Sequence, residues 1–233
     1  MNQNELLAAL PQDVLLRWSP HLEWLEMPLG QVLYASGDAP QHVFFPTTAM
    51  VSLLFVSESG STSEVAVVGR EGLIGISTFL GGGFTPSRAE VQCAGHGIRL
   101  DAGLMRSEFD LSGAVMHLML RYTQALITQM AQTAVCNRHH ALEQQLCRWL
   151  LLSLDRATGS ELVMTQELIA GNLGVRREGV TEAAQRLQQA GVIRYARGRI
   201  EVLDRPALEA RSCECYTVVK REYDRLLPRR QAR

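Results

Sequence analysis

The sequence predicts an α+β protein in three parts. These are an N-terminal antiparallel β-roll of jelly-roll type, one long helix for dimerisation, and a C-terminal winged helix-turn-helix. Three observations carry this reading. Residues 27–100 hold short β-like runs broken by Gly, Pro, Ser and Asp, the pattern of an antiparallel roll or barrel. Residues 111–138 keep apolar side chains at three- and four-residue spacing without a break. Residues 165–187 form two amphipathic halves about Gly174. The domains are therefore set at 1–110, 111–138 and 139–233.

With 233 residues the chain is long enough for two ordinary domains. Its 46% hydrophobic and 20% charged content is that of a globular protein in water. No uninterrupted apolar run of membrane-spanning length occurs, and Met1-Asn-Gln-Asn-Glu lacks the basic and apolar parts of a secretory leader, so a cytoplasmic protein with no membrane partner is expected. The net charge of −1 conceals an asymmetry: residues 1–137 hold 6 Lys/Arg against 12 Asp/Glu, whereas residues 160–233 hold 14 against 10. A basic C-terminal third on an acidic partner domain suits a module that meets a polyanion.

In order along the chain, residues 5–26 read as short helices, around Leu6, Leu7 and Leu10, then from Pro11 through Val14–Leu16, and again at Leu22–Leu25. Strands follow at Gln31–Tyr34, His42–Phe45, Val51–Val56, Glu64–Val68 and Glu90–Cys93, with turns at Ser36–Pro40 and Ser57–Ser61. A short helix is expected over Asp101–Asp110. In the long helix Leu111–Arg138, the residues Val115, Met119, Tyr122, Leu126, Met130 and Thr133 recur at coiled-coil spacing and are assigned to the dimer seam. Leu120, Ile127 and Ala134 fall on another face, assigned to packing on the roll. His139-His140 marks a hinge, and a helix through Leu142, Leu146 and Trp149 ends near Ala157–Gly159.

The helix-turn-helix carries the functional signal. Ala170 is small where two helices must cross, and Gly174 is the residue that leaves a helix in the left-handed conformation most easily. The second helix is expected to begin near Val175 with Arg176, Arg177, Glu178 and Thr181 on its outward early positions, where a recognition helix meets base edges. Arg pairs bidentately with guanine and Glu accepts from cytosine N4. Thr165 and Gln166 open the first helix. A hairpin turning at Ala196-Arg-Gly198 forms the wing, with Arg194, Arg197 and Arg199 placed for phosphates. A last helix spans Pro206–Leu227.

Taken together, this order resembles the Crp/Fnr family of bacterial transcription regulators over nearly the whole chain, most specifically at Leu162–Leu203. Thr165, Ala170, Gly174, Val180, Leu187 and Gly191 stand as the family pattern has them. The resemblance implies a homodimer, a two-fold palindromic operator in double-stranded DNA, RNA polymerase as a partner, and Arg177 and Glu178 as the base-reading pair. Glu182 stands where many members carry a second Arg, so the base sequence read is expected to differ.

By the same likeness the effector pocket falls on Gly72, Gly75, Ser87, Arg88 and Met130, in degenerate form. Ile76 takes the place of the ribose-binding Glu and Ser87 that of the phosphate-binding Arg. Arg88 is one residue off, which in a strand reverses the face. Met130-Ala131 replace the Thr-Ser pair of cyclic AMP receptors. These losses argue against a cyclic nucleotide, and no cofactor is expected.

No metal site is expected either. Cysteines are absent before Cys93, unlike the iron–sulfur members; His42, His96 and His117 are available as an axial haem ligand, but a lone histidine reads as an ordinary surface or core residue. Gly81-Gly-Gly83 lacks the Lys-Ser/Thr of a phosphate loop and reads as a flexible turn. Cys213-Glu-Cys215 stands without a second pair and reads as helix thiols. Two further readings remain open. One is a cupin-like metal-dependent enzyme with an accessory helical domain, against which the absence of His-x-His speaks; no catalytic residues are assigned. The other is a thiol redox regulator of the same fold using Cys136 or Cys147.

Overall fold

The computed structural model describes residues 3–227, apart from 59, 158 and 160. The turn expected at 57–61 and the helix end expected at 157–159 each contain one residue outside that set.

The chain opens with α1 (Glu5–Ala8), α2 (Gln12–Trp18) and a 3-10 turn at Ser19–His21. Asn4 caps α1 by accepting from the Leu7 amide at 3.0 Å. Its amide nitrogen donates to the carbonyls of Pro46 and Gly72 at 2.8 and 2.9 Å, which fastens the N-terminus to the roll. The roll consists of β1 (Glu23–Met27), β2 (Val32–Tyr34), β3 (His42–Pro46), β4 (Met50–Val56), β5 (Thr62–Val68), β6 (Arg88–Cys93) and β7 (Gly95–Asp101). They form two antiparallel sheets, ordered β1-β7-β3 and β2-β6-β4-β5. Alternation along the strands directs Val43, Phe45, Val51, Leu53, Ala66, Val68, Ala89, Val91, Ile98 and Leu100 into one core.

One difference from the sequence reading lies here. Residues 22–25, expected as helix, lie in or next to β1, because cross-strand pairing from Glu23↔Arg99 to Met27↔Gly95 overrides the local spacing of Leu22 and Leu25. The partner strand β7 contains two glycines and shows no alternation strong enough to read.

After α3 (Ala102–Asp110), the long helix α4 (Ala114–His139) runs 26 residues, about 39 Å at about 1.5 Å per residue. Its faces are the reverse of those expected. Val115, Met119, Tyr122, Leu126 and Thr133 are buried in this chain's own core and Met130 is half-buried against it, so they do not line a seam. Leu120, Ile127 and Val135 are exposed. Apolar spacing alone cannot tell which of two helix faces meets the roll. The large side chain of Tyr122 fills the space beside Gly72 and donates to the Leu73 carbonyl, which fixes the inward face.

The C-terminal domain comprises α5 (Leu142–Arg156), β8 (Glu161–Val163), α6 (Gln166–Leu173), α7 (Arg177–Gln189), β9 (Ile193–Ala196), β10 (Arg199–Val202), α8 (Arg205–Arg211) and α9 (Glu214–Leu226). Two buried polar groups tie it to the roll. Arg156, buried, donates to Glu71 at 2.6 Å, to Gln129 at 2.8 Å and to the Leu152 carbonyl at 2.8 Å, with its guanidinium 5.5 Å from the Tyr223 ring centroid. Burial disfavours this charge, but the Glu71 carboxylate more than offsets it and raises the guanidinium's pKa above its usual range. Glu64 on β5 accepts from Trp149 at 2.9 Å and from Ser52 at 2.6 Å. Burial pushes its carboxyl up from 4.5 to about 7, against the donors Ser52 and Trp149 and the charges of Arg148 and Arg156.

A raised carboxyl pKa contributes stability that is fully present below about 4.5 and is lost as pH rises through about 7. Glu64→Gln is therefore expected to remove a pH dependence on the order of 3 kcal/mol between those values. Urea melts of both proteins at pH 5 and pH 8 check this. Equal pH slopes would show that Glu64 is not the group responsible.

Candidate nucleic-acid interface

α6 begins at its cap Thr165, whose hydroxyl accepts from the Leu168 amide at 3.2 Å, and ends at Gly174 with φ 66°. That left-handed conformation costs little for glycine and turns the chain directly into α7. The Val175 amide bonds back to the Ala170 carbonyl at 3.0 Å, which closes the turn. Ile169, Ala170 and Leu173 of α6 and Val180, Ala183, Ala184 and Leu187 of α7 are buried together. Behind them α5 supplies Leu146, Leu150 and Leu154. A side chain at Gly179 would reach within 2.7 Å of Leu142, so α7 lies close against the start of α5.

α7 starts two residues later than expected, with Arg176 as its cap and Arg177 as its first residue. This end is free: Arg176, Arg177, Glu178 and Glu182 are exposed. Thr181 is half-exposed and donates to Gln166 at 2.7 Å, linking the two helices at the outer surface. Farther along, Arg186 bonds to Glu143 at 2.8 Å, a contact within the domain.

The wing is a three-stranded sheet ordered β8-β10-β9. Arg197 and Gly198, with φ 52° and 73°, form its two-residue turn, and both positive angles are those of a type I′ hairpin. Tyr195 anchors the wing: its hydroxyl donates to the Met164 carbonyl at 2.9 Å, and its amide donates to Gln188 at 2.8 Å. Burial raises the Tyr195 pKa, opposed by the Arg177 charge nearby. Arg194 and Arg199 are engaged within the wing, with Glu201 and Glu161 at 2.8 Å each, while Arg197 stands exposed at the tip. The first turn of α6 (Thr165, Gln166, Glu167), Arg177 and Tyr195–Gly198 line one open cleft of about 420 Å³. Tyr195 and Gln188 were not singled out from the sequence, because their role rests on hydrogen bonds between β9 and α7 rather than on any motif.

The five residues expected around an effector sit otherwise. Gly72 lies against Tyr122, whose ring would be 2.5 Å from any side-chain carbon there, and whose hydroxyl donates to the Leu73 carbonyl at 2.7 Å. Gly75 takes a left-handed φ of 102° before a short 3-10 turn at Ile76–Thr78. Ser87 is buried, its hydroxyl 3.0 Å from that of Thr85. Arg88 pairs with Glu90 on the face of β6 that also carries Gln92, whose amide reaches Met164 at 3.5 Å; Ala89 and Val91 point into the roll. Met130 is half-buried on α4. Tyr122 fills the space beside Gly72, and the Arg88 charge is turned away from the roll interior.

Residues 144–211 match the model of the Crp-like helix-turn-helix domain, and residues 24–109 that of the cyclic nucleotide-binding domain. Among solved structures, FixK2 from Bradyrhizobium japonicum aligns with a TM-score of 0.70 at 15% identity, over 82% of this chain and 98% of that one. A putative transcriptional regulator of the Crp/Fnr family from Eubacterium rectale aligns with a TM-score of 0.69 at 18% identity, over 91% and 99%. A CRP-family transcriptional regulator from Thermus thermophilus aligns with a TM-score of 0.66 at 19% identity, over 81% and 96%. Among curated proteins, none matches. A β-roll of the cyclic nucleotide-binding type followed by a winged helix-turn-helix defines a two-domain DNA-binding protein. The chain belongs among the Crp/Fnr-like DNA-binding transcription regulators.

Because Gly174 sits at positive φ with Ser63 of the roll 2.9 Å from where a side chain would begin, substitution there tests the turn. Gly174→Val is expected to destabilise by about 1–2 kcal/mol, and Gly174→Asn, which tolerates this conformation, by clearly less. Chemical denaturation of the two variants checks the ranking; equal losses would assign the effect to Ser63 rather than to the backbone.

Proposed function

We propose that the protein is a cytoplasmic homodimer that reads a palindromic operator with two copies of α7, under the control of a signal other than a cyclic nucleotide. The observation that carries this reading is the free N-terminal end of α7. Arg176, Arg177 and Glu178 are exposed, and Arg177 shares one cleft between helix and hairpin with Arg197 at the wing tip. In this reading Arg176, Arg177, Glu178 and Thr181 meet base edges, while Thr165, Gln166, Arg194, Arg197 and Arg199 position the domain on phosphates.

The dimer is supported by the outer face of α4. His117, Leu120, Gln124, Ile127, Ala131, Ala134 and Arg138 are exposed and recur by three and four residues, a continuous heptad stripe. Alanines toward its C-terminal end let two helices approach closely just before the α4–α5 junction. A second copy on this stripe places two α7 helices about a two-fold axis, with half-sites about 34–36 Å apart on the duplex. A change in the roll reaches the DNA-binding domain through Glu64–Trp149 and through Ser63 against Gly174, biasing one of two arrangements. RNA polymerase is the partner through which DNA binding alters transcription.

Ile127→Asp is expected to convert the dimer to monomers in sedimentation, with at least a tenfold loss of affinity for a palindromic fragment at fixed salt. A dimer that persists would move the seam off this stripe. Arg177→Ala is expected to cost about 1–3 kcal/mol and relax preference at one base position. Arg197→Ala is expected to weaken all sequences alike and lower the salt slope by about one. Fluorescence anisotropy across a salt series and a panel of single-base operator variants separates the two effects; interchanged behaviour would overturn the assignment.

A further inference from the structure

Two segments far apart in sequence bring four metal-binding side chains to one point. Cys136 and His140 are one turn apart at the end of α4, and Cys213 and Cys215 open α9. The three sulfurs and one histidine nitrogen all lie within 4.8 Å of one another. Cys136 Sγ is 3.5 Å from Cys213 Sγ, and Cys215 Sγ is 3.6 Å from His140 Nδ1. An ion with metal–sulfur bonds of about 2.3 Å and a metal–nitrogen bond of about 2.0–2.1 Å has tetrahedral edges of about 3.8 Å between sulfurs and about 3.6 Å from sulfur to nitrogen. The Cys136–Cys213 and Cys215–His140 separations meet those edges closely, and the other pairs lie within 4.8 Å. A multi-iron cluster spreads its thiolates over several metals and needs a wider set of donors.

We propose that Cys136, His140, Cys213 and Cys215 form a tetrahedral site for one divalent cation of the zinc class, which clamps α9 to the end of α4 at its junction with α5. The surroundings fit that role. His140 turns Nδ1 toward the sulfurs and Nε2 toward Glu214 Oε1 at 3.3 Å, the carboxylate–histidine arrangement that leaves the other nitrogen free to ligate. Gln145 holds the His140 carbonyl at 2.9 Å, so the ring sits on a restrained backbone. Three thiolates and a dication leave one negative charge, and buried Arg148 supplies its complement. Arg148 acts electrostatically on Cys136 and Cys215, and its Nε has no partner among the described residues. The thiols stand apart from the main apolar core, as a small cluster of their own. Cys147 differs: it packs in the main core, where burial pushes its thiol up to about 12, and it takes no part. With four protein donors and no open position, the site is structural or regulatory rather than catalytic.

The cysteine pair alone predicted no metal, because its partners lie more than seventy residues earlier, on another helix. The cation would hold the start of α9 while Tyr223 on Gln129 holds its far end, so loss of the cation loosens the start of α9 from the end of α4.

Protein purified without a histidine tag, anaerobically and with reductant, from zinc-supplemented cells is expected to carry one zinc per chain by elemental analysis. Replacement with cobalt(II) is expected to produce the intense visible absorption of a tetrahedral thiolate site. Cys136→Ser and Cys213→Ser lose it, Cys147→Ser keeps it, and Glu214→Gln weakens metal affinity about 10- to 100-fold. Should the serine variants fold poorly, His140→Cys retains four soft donors and binds cobalt with a shifted spectrum. Chelation is expected to lower the Tm and speed amide exchange in 136–140 and 213–216. Metal-free wild-type protein with a Cys136–Cys213 disulfide, iron with acid-labile sulfide, or a weak octahedral cobalt spectrum would each overturn the site. None of these readouts involves DNA, so they are independent of the operator-binding reading.

Discussion

The buried guanidinium of Arg156 is the constraint around which the two domains are arranged. A charge in that position is tolerated only with an opposite charge and close acceptors around it, because the desolvation of an unpaired ion costs several kcal/mol. Its acceptors come from three places: Glu71 from the roll, Gln129 from α4 and the Leu152 carbonyl from α5 itself. Gln129 in turn donates to the Val67 carbonyl at 3.0 Å and accepts from Tyr223 of α9. One side chain thereby holds roll, long helix, α5 and last helix in mutual register. The roll cannot shift against the DNA-binding domain without stranding a charge, which favours discrete arrangements over gradual ones.

Glu64 adds a second tie of opposite character. Arg156 is an ion held by an ion, whereas Glu64 is a carboxyl held mainly by neutral donors, and burial raises its pKa to about 7. Both ties end on α5, the helix that also backs α7. The path from roll to α7 is therefore short: from β5 to Trp149 of α5, whose start packs against α7 at Gly179. Any event that changes the packing of Tyr122 on Gly72 or of α9 on α4 acts on elements that already contact α5.

The surroundings of Gly72 and the heptad stripe illustrate the same physical point. Tyr122 belongs to a face of α4 that reads, by spacing, as a coiled-coil seam. In the folded chain it occupies the space next to Gly72, and the stripe of Leu120, Ile127 and Ala134 is left outside. Helical periodicity identifies faces but not what each face meets. That depends on which side chains match the volume over the sheet.

Much was legible in the sequence. The strands β2 to β6 followed from alternation and turn residues. The helix-turn-helix followed from Ala170 and Gly174, and the start of its second helix from the amphipathic spacing, to within two positions. The polarity of the charge distribution was readable by counting. These are local quantities, set by residue type and short-range spacing. β1, β7 and β8 were not legible, because their stability comes from partners elsewhere in the chain. The assignment of the α4 faces, the burial of Arg156 and Glu64, and the meeting of Cys136 and His140 with Cys213 and Cys215 required the tertiary structure. Each depends on residues dozens of positions apart being brought into packing contact or within one hydrogen bond, and no local pattern carries that distance.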